Sequence, residues 1–128
     1  MGEDQKGRGS ARPLRVLFVC TLNQWRSPTA EAIYRGDPRL EVRSAGTRSG
    51  ARRRVGPSDL AWADAVLVME ADHKNWIHEK FGDLDLPPVR ILRISNNLGF
   101  MDDDLKRELR EAIEPELDEL LRAGPLRP

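Results

Sequence analysis

Four short runs of mainly apolar residues alternate along the chain with polar segments whose apolar positions follow a helical spacing. Strands that are buried on both faces of a parallel sheet produce such nearly continuous apolar runs. The pattern therefore predicts an α/β protein in which strands and helices alternate. The predicted strands are Leu14–Val19, Leu40–Ala45, Ala65–Met69 and Val89–Ile94.

The segments between these runs predict four helices. Pro28 stands in the first turn of the first helix and Gly36 just past its end, which is the usual asymmetry of helix termini. Pro115 lies inside the last helix, where it removes a backbone hydrogen bond, so we expect a kink near Glu111 or two consecutive helices. The predicted helices are 27–35, 58–62, 72–81 and 102–121, with Ser27, Ser58 or Asp59, and Asp72 as caps.

This alternation predicts a single-domain three-layer sandwich around a four-stranded parallel sheet of order 2-1-3-4. The topological switch then lies beside strand one, and the segment after Val19 leaves that strand at its carboxyl end, where ligands of open α/β sheets bind. We expect a disordered arm over residues 1–13, the folded domain over 14–122 and a short tail over 123–128.

Composition and charge narrow the class of protein. The chain has 128 residues and 21 Lys and Arg against 21 Asp and Glu. This balance disfavours binding to nucleic acid or to a membrane surface, since both usually need net basic charge. One cysteine cannot form an internal disulfide. We therefore expect a globular protein of the cytoplasm. Nothing in the sequence implies a metal or an organic cofactor.

The segment Cys20–Ser27, with the sequence CTLNQWRS, directly follows the first strand. Five residues between a cysteine and an arginine can form a loop whose backbone N–H groups bind an anion. The arginine offers a planar fork to two phosphate oxygens, and the positive field favours the cysteine thiolate. The motif predicts cysteine-based phosphoryl transfer. Two alternatives remain: a small buried cysteine without chemistry, or a loop that binds phosphate only.

The same segment resembles the low-molecular-weight protein tyrosine phosphatases. The likeness rests on Val16–Cys20, Asn23 and Arg26–Glu31, and it extends over Leu14–Leu121. The later matching segments indicate a compact bacterial branch of that family, and they are Ser44–Gly46, Trp62–Asp64, Val68–Glu70 and Phe100–Asp102.

The resemblance implies a role for each residue of the loop. Cys20 is the nucleophile, Arg26 binds the equatorial oxygens of the phosphoryl group, and Ser27 donates a hydrogen bond to the thiolate. Asn23 braces the loop, and Ser44 is its expected partner. The backbone amides of residues 21–26 complete the anion site, so the expected substrate-binding residues also include Thr21, Leu22, Gln24 and Trp25.

The general acid of the family has no obvious equivalent. Asn96 stands at the expected aspartate, and an amide cannot donate a proton as an acid, so poor leaving groups should react about 10²- to 10⁴-fold more slowly. Asp102, Asp103 and Asp104 lie nearby; they either offset the dipole of the last helix or one of them, best Asp102, reaches the site. Leu98 stands where the family has an aromatic residue, so substrate recognition should differ.

Other polar and aromatic residues allow two readings. Trp25 replaces a second cysteine of many relatives, and it either packs in the core or forms a wall of the substrate cleft. His73 and His78 lie five apart on one helix, which does not suit a metal, so both are predicted to be surface residues. Arg52–Arg54 is either a solvated loop or faces the phosphate loop and attracts anions.

Three functions compete. The first is a phosphatase that hydrolyses phosphotyrosine or a related phosphate monoester through a phosphocysteine, acting on a phosphorylated protein or a small phosphate monoester. The second is a pseudophosphatase that holds a phosphoprotein, inorganic phosphate or another oxyanion without turnover. The third, arsenate reduction, ranks last because a single cysteine would need an external thiol.

Overall fold

The computed structural model describes residues 12–123, which form four strands and four helices in alternation. Of the arm predicted for 1–13 and the tail predicted for 123–128, only residues 12, 13 and 123 fall in the described part. The strands are β1 (Leu14–Cys20), β2 (Leu40–Gly46), β3 (Ala65–Val68) and β4 (Val89–Ile91). The helices are α1 (Arg26–Tyr34), α2 (Pro57–Trp62), α3 (Ala71–Phe81) and α4 (Asp103–Ala123).

The four strands form one parallel sheet in the order β2-β1-β3-β4, so the predicted order 2-1-3-4 is confirmed. Cys20, the last residue of β1, lies opposite Gly46, the last residue of β2. Val19 is paired on its other side with Val68, the last residue of β3. The carboxyl ends of three strands therefore meet at one edge of the sheet, where the loop after Cys20 begins.

Helices cover the sheet on both faces because successive side chains of a strand point to opposite sides. Val16 and Phe18 belong to one buried cluster together with α1 and α4, and Leu17 and Val19 belong to another together with α2 and α3. Helix α4 contributes a stripe at every fourth residue, made of Leu105, Leu109, Ile113 and Leu117.

Several predicted boundaries are wrong at their ends. Strand β4 ends at Ile91 rather than Ile94, although the N–H groups of Leu92 and Ile94 still donate to carbonyls at the end of β3. Helix α4 runs across Pro115 as one helix, so the alternative of two helices is wrong. Asp72 lies inside α3, whose N-cap position is Glu70.

Within the described residues, no helix has the length and apolar character needed to cross a membrane.

Pro115 is exposed in the middle of α4, so its ring contributes little packing. Replacing it in Pro115→Ala supplies an N–H for the carbonyl of Glu111. We expect the free energy of unfolding to rise by about 1 to 3 kcal/mol, after the greater freedom of the unfolded chain is deducted. Urea denaturation measures the change. Asp118→Ala, at another exposed position of α4, serves as the control and should change stability by less than about 0.5 kcal/mol. A less stable Pro115→Ala variant would contradict the expectation.

Candidate active site

The loop between β1 and α1 places a buried cysteine beside a serine. Cys20 ends β1 and is 3% exposed, and its Sγ lies 3.0 Å from Oγ of Ser27. Ser27 is the second residue of α1 rather than its N-cap, because the helix begins at Arg26 and no side chain caps it. Its hydroxyl is therefore directed toward the cysteine and not toward the helix end.

Asn23 connects this serine to the neighbouring strand. Its side-chain Nδ2 donates to Oγ of Ser27 and to Oγ of Ser44, each at 2.9 Å. Ser44 in turn donates to a carboxylate oxygen of Glu31 at 2.5 Å. The backbone of Asn23 has a φ of 56°, a left-handed conformation that asparagine tolerates better than most residues. An asparagine at this position therefore tolerates the left-handed backbone and also supplies the amide that bonds the two serines.

This network determines the direction of the Ser27 hydroxyl bond. Because Ser27 Oγ accepts the Asn23 N–H, its own proton is free to be donated, and the Cys20 sulfur at 3.0 Å is nearer than the carbonyl of Ala45 at 3.3 Å. A hydroxyl that donates to sulfur stabilises the thiolate, which is the nucleophilic form of cysteine.

Arg26 is 2% exposed and is held by groups from three different loops. Its Nη1 donates to the carbonyl of Ile94 at 2.8 Å and to the carboxylate of Glu70, and its Nη2 donates to Oγ1 of Thr21 at 3.3 Å. Its Nε is buried and has no hydrogen-bond partner among residues 12–123. Since Nε and Nη2 lie on one edge of the guanidinium, that edge can offer two N–H groups to two oxygens of one anion.

A cavity of about 410 Å³ opens over this loop. Six consecutive or nearly consecutive residues of the predicted motif line it, namely Cys20, Thr21, Leu22, Gln24, Trp25 and Arg26. Asn96 lines the cavity from the loop after β4. The cavity is also lined by Arg48, Glu70 and Asp72, which the sequence analysis did not assign to the site. Trp25 is 43% exposed and therefore forms a wall of the cavity rather than part of the core.

The loop after β2 supports the Cys20 loop from outside. The N–H groups of Thr47, Arg48 and Arg52 donate to the carbonyls of residues 20, 21 and 22 at 3.1, 3.1 and 3.0 Å. Gly46 permits this approach, because a Cβ there would lie 2.6 Å from the carbonyl oxygen of Thr21. The two loops therefore form one hydrogen-bonded unit.

Comparisons with known proteins identify relatives of similar sequence or fold. No protein-family model matches the sequence. A protein-arginine-phosphatase of Geobacillus stearothermophilus is 33% identical over 93 residues, which are 54% of this chain. The match covers 63% of that relative, so this chain spans less than two thirds of its length.

Solved structures are similar over more of the chain. A low molecular weight protein tyrosine phosphatase from Streptococcus pyogenes has a TM-score of 0.67 at 16% identity, over 84% of this chain and 93% of its own. The YwlE arginine phosphatase from Geobacillus stearothermophilus has a TM-score of 0.59 at 25% identity, over 85% of this chain and 97% of its own.

The chain is thus similar in fold to the low-molecular-weight protein tyrosine phosphatases and similar in sequence to an arginine phosphatase. The described residues include no group of three or more His, Cys, Asp or Glu side chains that would hold a metal ion.

The aspartates near Asn96 do not line this cavity. Asp102 caps α4, since its Oδ1 accepts the N–H groups of Asp104 at 2.8 Å and Leu105 at 3.3 Å. Asp104 pairs with Arg107 at 2.7 Å. These contacts favour the helix-capping alternative over a role of Asp102 as the acid. Asn96 is the polar residue that this loop presents to the cavity.

The arginine run 52–54 is exposed, as the solvated-loop alternative predicts, and its side chains also bond backbone carbonyls. Arg52 donates to the carbonyl of Asn23 at 3.0 Å, and Arg53 donates to the carbonyl of Ser44 at 2.9 Å. Both therefore brace the loops from behind. Arg48, outside the run, supplies the additional cation that lines the cavity, and it has no side-chain partner among the described residues.

His73 is buried, so its prediction as a surface residue is wrong, whereas His78 is exposed. Nδ1 of His73 accepts the N–H of Glu70 at 3.0 Å, which leaves the ring proton on Nε2. Nε2 then donates to Oγ1 of Thr21 at 2.9 Å. Since Thr21 also accepts an N–H from Arg26, its own proton remains available at the cavity wall. The Glu-x-x-His spacing at a helix start is the one sequence signal for this contact.

Burial, with the nearby Arg26 charge adding to it, lowers the pKa of His73 to about 4. Between pH 6.5 and 4 the unfolded chain therefore binds a proton that the folded protein does not. The free energy of unfolding decreases as the pH is lowered through this range, by up to about 1.4 kcal/mol per pH unit.

We expect His73→Gln to remove this part of the pH dependence. Thermal unfolding between pH 4.5 and 7.5 measures it. His78→Gln is the matched control and should unfold with the wild-type pH dependence. Equal pH dependence in His73→Gln and the wild type would show that His73 does not titrate as expected.

Proposed function

We propose that this protein is a cysteine-dependent phosphatase that hydrolyses phosphorylated side chains of proteins through a phosphocysteine intermediate. The observation that carries the proposal is the unpartnered Nε of Arg26, a residue that lines the same cavity as Cys20. A buried N–H without a partner costs free energy, and a bound phosphoryl oxygen removes that cost. A small buried cysteine without chemistry would not need this arrangement.

The mechanism assigns one role to each group. The Cys20 thiolate attacks phosphorus in line with the leaving group, and the new S–P bond forms as the bond from phosphorus to the substrate breaks. The Nε and Nη2 groups of Arg26 bind two equatorial oxygens, whose charge the loop amides also stabilise. The Ser27 hydroxyl donates to the sulfur whenever it is a thiolate, before attack and again as it leaves. Water then attacks the phosphocysteine, releasing inorganic phosphate and restoring the thiolate.

Two substrate classes fit this proposal. Phosphotyrosine, or a related phosphate monoester, suits the exposed ring of Trp25 at the cavity wall. Phosphoarginine is the second class, because the relative from Geobacillus stearothermophilus is an arginine phosphatase and because the carboxylate of Asp72 at the cavity suits a guanidinium group. Phosphate release from peptides carrying either residue, measured with one enzyme preparation, separates the two classes.

The proposal includes a reducing compartment such as the cytoplasm, because Cys20 is a free thiol and must stay reduced to react. A phosphate-binding pseudophosphatase remains the alternative, and Asn96 motivates it. Arsenate reduction ranks below both, since Cys20 is the one cysteine of the chain.

Steady-state hydrolysis of p-nitrophenyl phosphate near pH 6 tests the proposal. This substrate has a good leaving group, so it needs no general acid. We expect turnover in the wild type and a loss of at least about 10³-fold in Cys20→Ser, because the hydroxyl is a far weaker nucleophile than the thiolate. Turnover that survives the substitution would overturn the mechanism. An inactive wild type that still binds vanadate would instead support the pseudophosphatase.

The role of Asn96 is tested by restoring an acid. We expect Asn96→Asp to accelerate hydrolysis of phenyl phosphate by at least about tenfold, and that of p-nitrophenyl phosphate much less, because only the basic leaving group needs a proton. Asn97→Asp adds the same charge one residue away, where the side chain bonds Ser95 and does not line the cavity, and it is the matched control. An unchanged or slower rate on phenyl phosphate would contradict the assignment.

A further inference from the structure

A second cavity of about 420 Å³ adjoins the first one. The two share lining residues, among them Thr21, Arg48 and Asp72. Cys20 does not line the second cavity, whereas Arg54 and Trp76 do. Because the two cavities share part of their walls, a side chain next to a phosphorylated residue in the first cavity can enter the second one.

The side chain of Arg54 is held in this second cavity by a backbone carbonyl and an aromatic ring, not by a carboxylate. Its Nε donates to the carbonyl of Thr47 at 3.2 Å, and its guanidinium lies 5.4 Å from the ring centre of Trp76. Within residues 12–123, neither of its terminal nitrogens has a hydrogen bond or an ion pair. The charged end of Arg54 is thus pre-positioned and still able to bind an anion.

The charges around the cavity favour an anionic occupant. Glu70 reaches it as well, but its carboxylate already pairs with Arg26. The ring of His73 donates to Thr21 and accepts from the backbone, so both of its nitrogens are engaged and it contributes no charge to the cavity. The remaining charged residues of the cavity are Arg48, Arg54 and Asp72. Two positive charges and one negative charge give the cavity one net positive charge.

We propose that the second cavity binds an anionic side chain, a carboxylate or a second phosphate, next to the phosphorylated residue of a protein substrate, with Arg54 as the main contact. This inference rests on the proposed function, because it needs a phosphorylated residue in the first cavity. It makes Arg54 a specificity residue that touches the substrate without touching the reacting atoms. Trp76 cannot serve as an open apolar floor, since the guanidinium of Arg54 lies over its ring.

Peptides test the proposal directly. Two sets, one with phosphotyrosine and one with phosphoarginine, carry Asp, phosphoserine, Ala or Lys at the positions flanking the phosphorylated residue. Their binding is measured to Cys20→Ser, which removes turnover, and their kcat/KM is measured with the wild type. We expect the Asp and phosphoserine peptides to bind about 5- to 10-fold more tightly than the Ala peptide, and the Lys peptide more weakly.

Variants of Arg54 separate its charge from its packing. In the Cys20→Ser background, Arg54→Gln should abolish the preference for acidic peptides, while Arg54→Lys should retain part of it. In otherwise wild-type enzyme, hydrolysis of p-nitrophenyl phosphate should stay within about twofold in both variants, because this substrate is too small to reach Arg54. Arg107→Gln removes one positive charge from exposed α4, outside both cavities, and should leave the preference unchanged.

The outcomes distinguish this proposal from the proposed function. Turnover of p-nitrophenyl phosphate without any preference for acidic peptides overturns the second site and leaves the phosphatase standing. A preference that depends on Arg54 in a protein without turnover supports the second site and overturns the hydrolysis. A preference that persists in Arg54→Gln overturns the role of Arg54. Failure to bind any phosphopeptide overturns both proposals.

Discussion

The buried guanidinium of Arg26 is the constraint on which the site depends. A charge that is 2% exposed must be compensated by ion pairs and hydrogen bonds, or its desolvation is very costly. The protein supplies Glu70 from the loop after β3, the carbonyl of Ile94 from the loop after β4, and Thr21 from the loop after β1. One side chain therefore fixes the relative positions of three loops. Its Nε remains without a hydrogen-bond partner among the described residues.

The parallel sheet makes this compensation possible. Partners 44 and 68 residues away from Arg26 in the chain reach it because every strand delivers its following loop to the same edge. The register brings Cys20 level with Gly46, and the absent side chain there lets the two loops bond through their backbones. The proposed anion site is thus a consequence of topology as much as of the motif, because the neighbouring loops support the loop after Cys20.

The features that could be predicted from the sequence are those with a local cause. The apolar runs predict the strands, and the alternation of strands with helices predicts their order in the sheet. The spacing from Cys20 to Arg26 identifies the loop that lines the cavity. The contacts of Glu70 and His73 were missed because they pair residues distant in sequence, and no periodicity encodes such pairs. His73 was misjudged for the same reason: its neighbours on α3 are polar, but its position in the first turn points it under the Cys20 loop.

Under the proposed function, the barrier to phosphoryl transfer has two parts, and the site meets them unequally. Groups for positioning and charge stabilisation are present, from the sulfur with its Ser27 donor to the unpartnered Nε of Arg26. The position expected for the general acid holds Asn96, which has no acidic proton. Glu70 cannot easily take that role, since a proton on its carboxylate would remove the ion pair that holds Arg26. Under the proposed function, selectivity therefore depends mainly on where a substrate is held and how easily its leaving group departs. The positive charges beside the cavity then matter more than the acid.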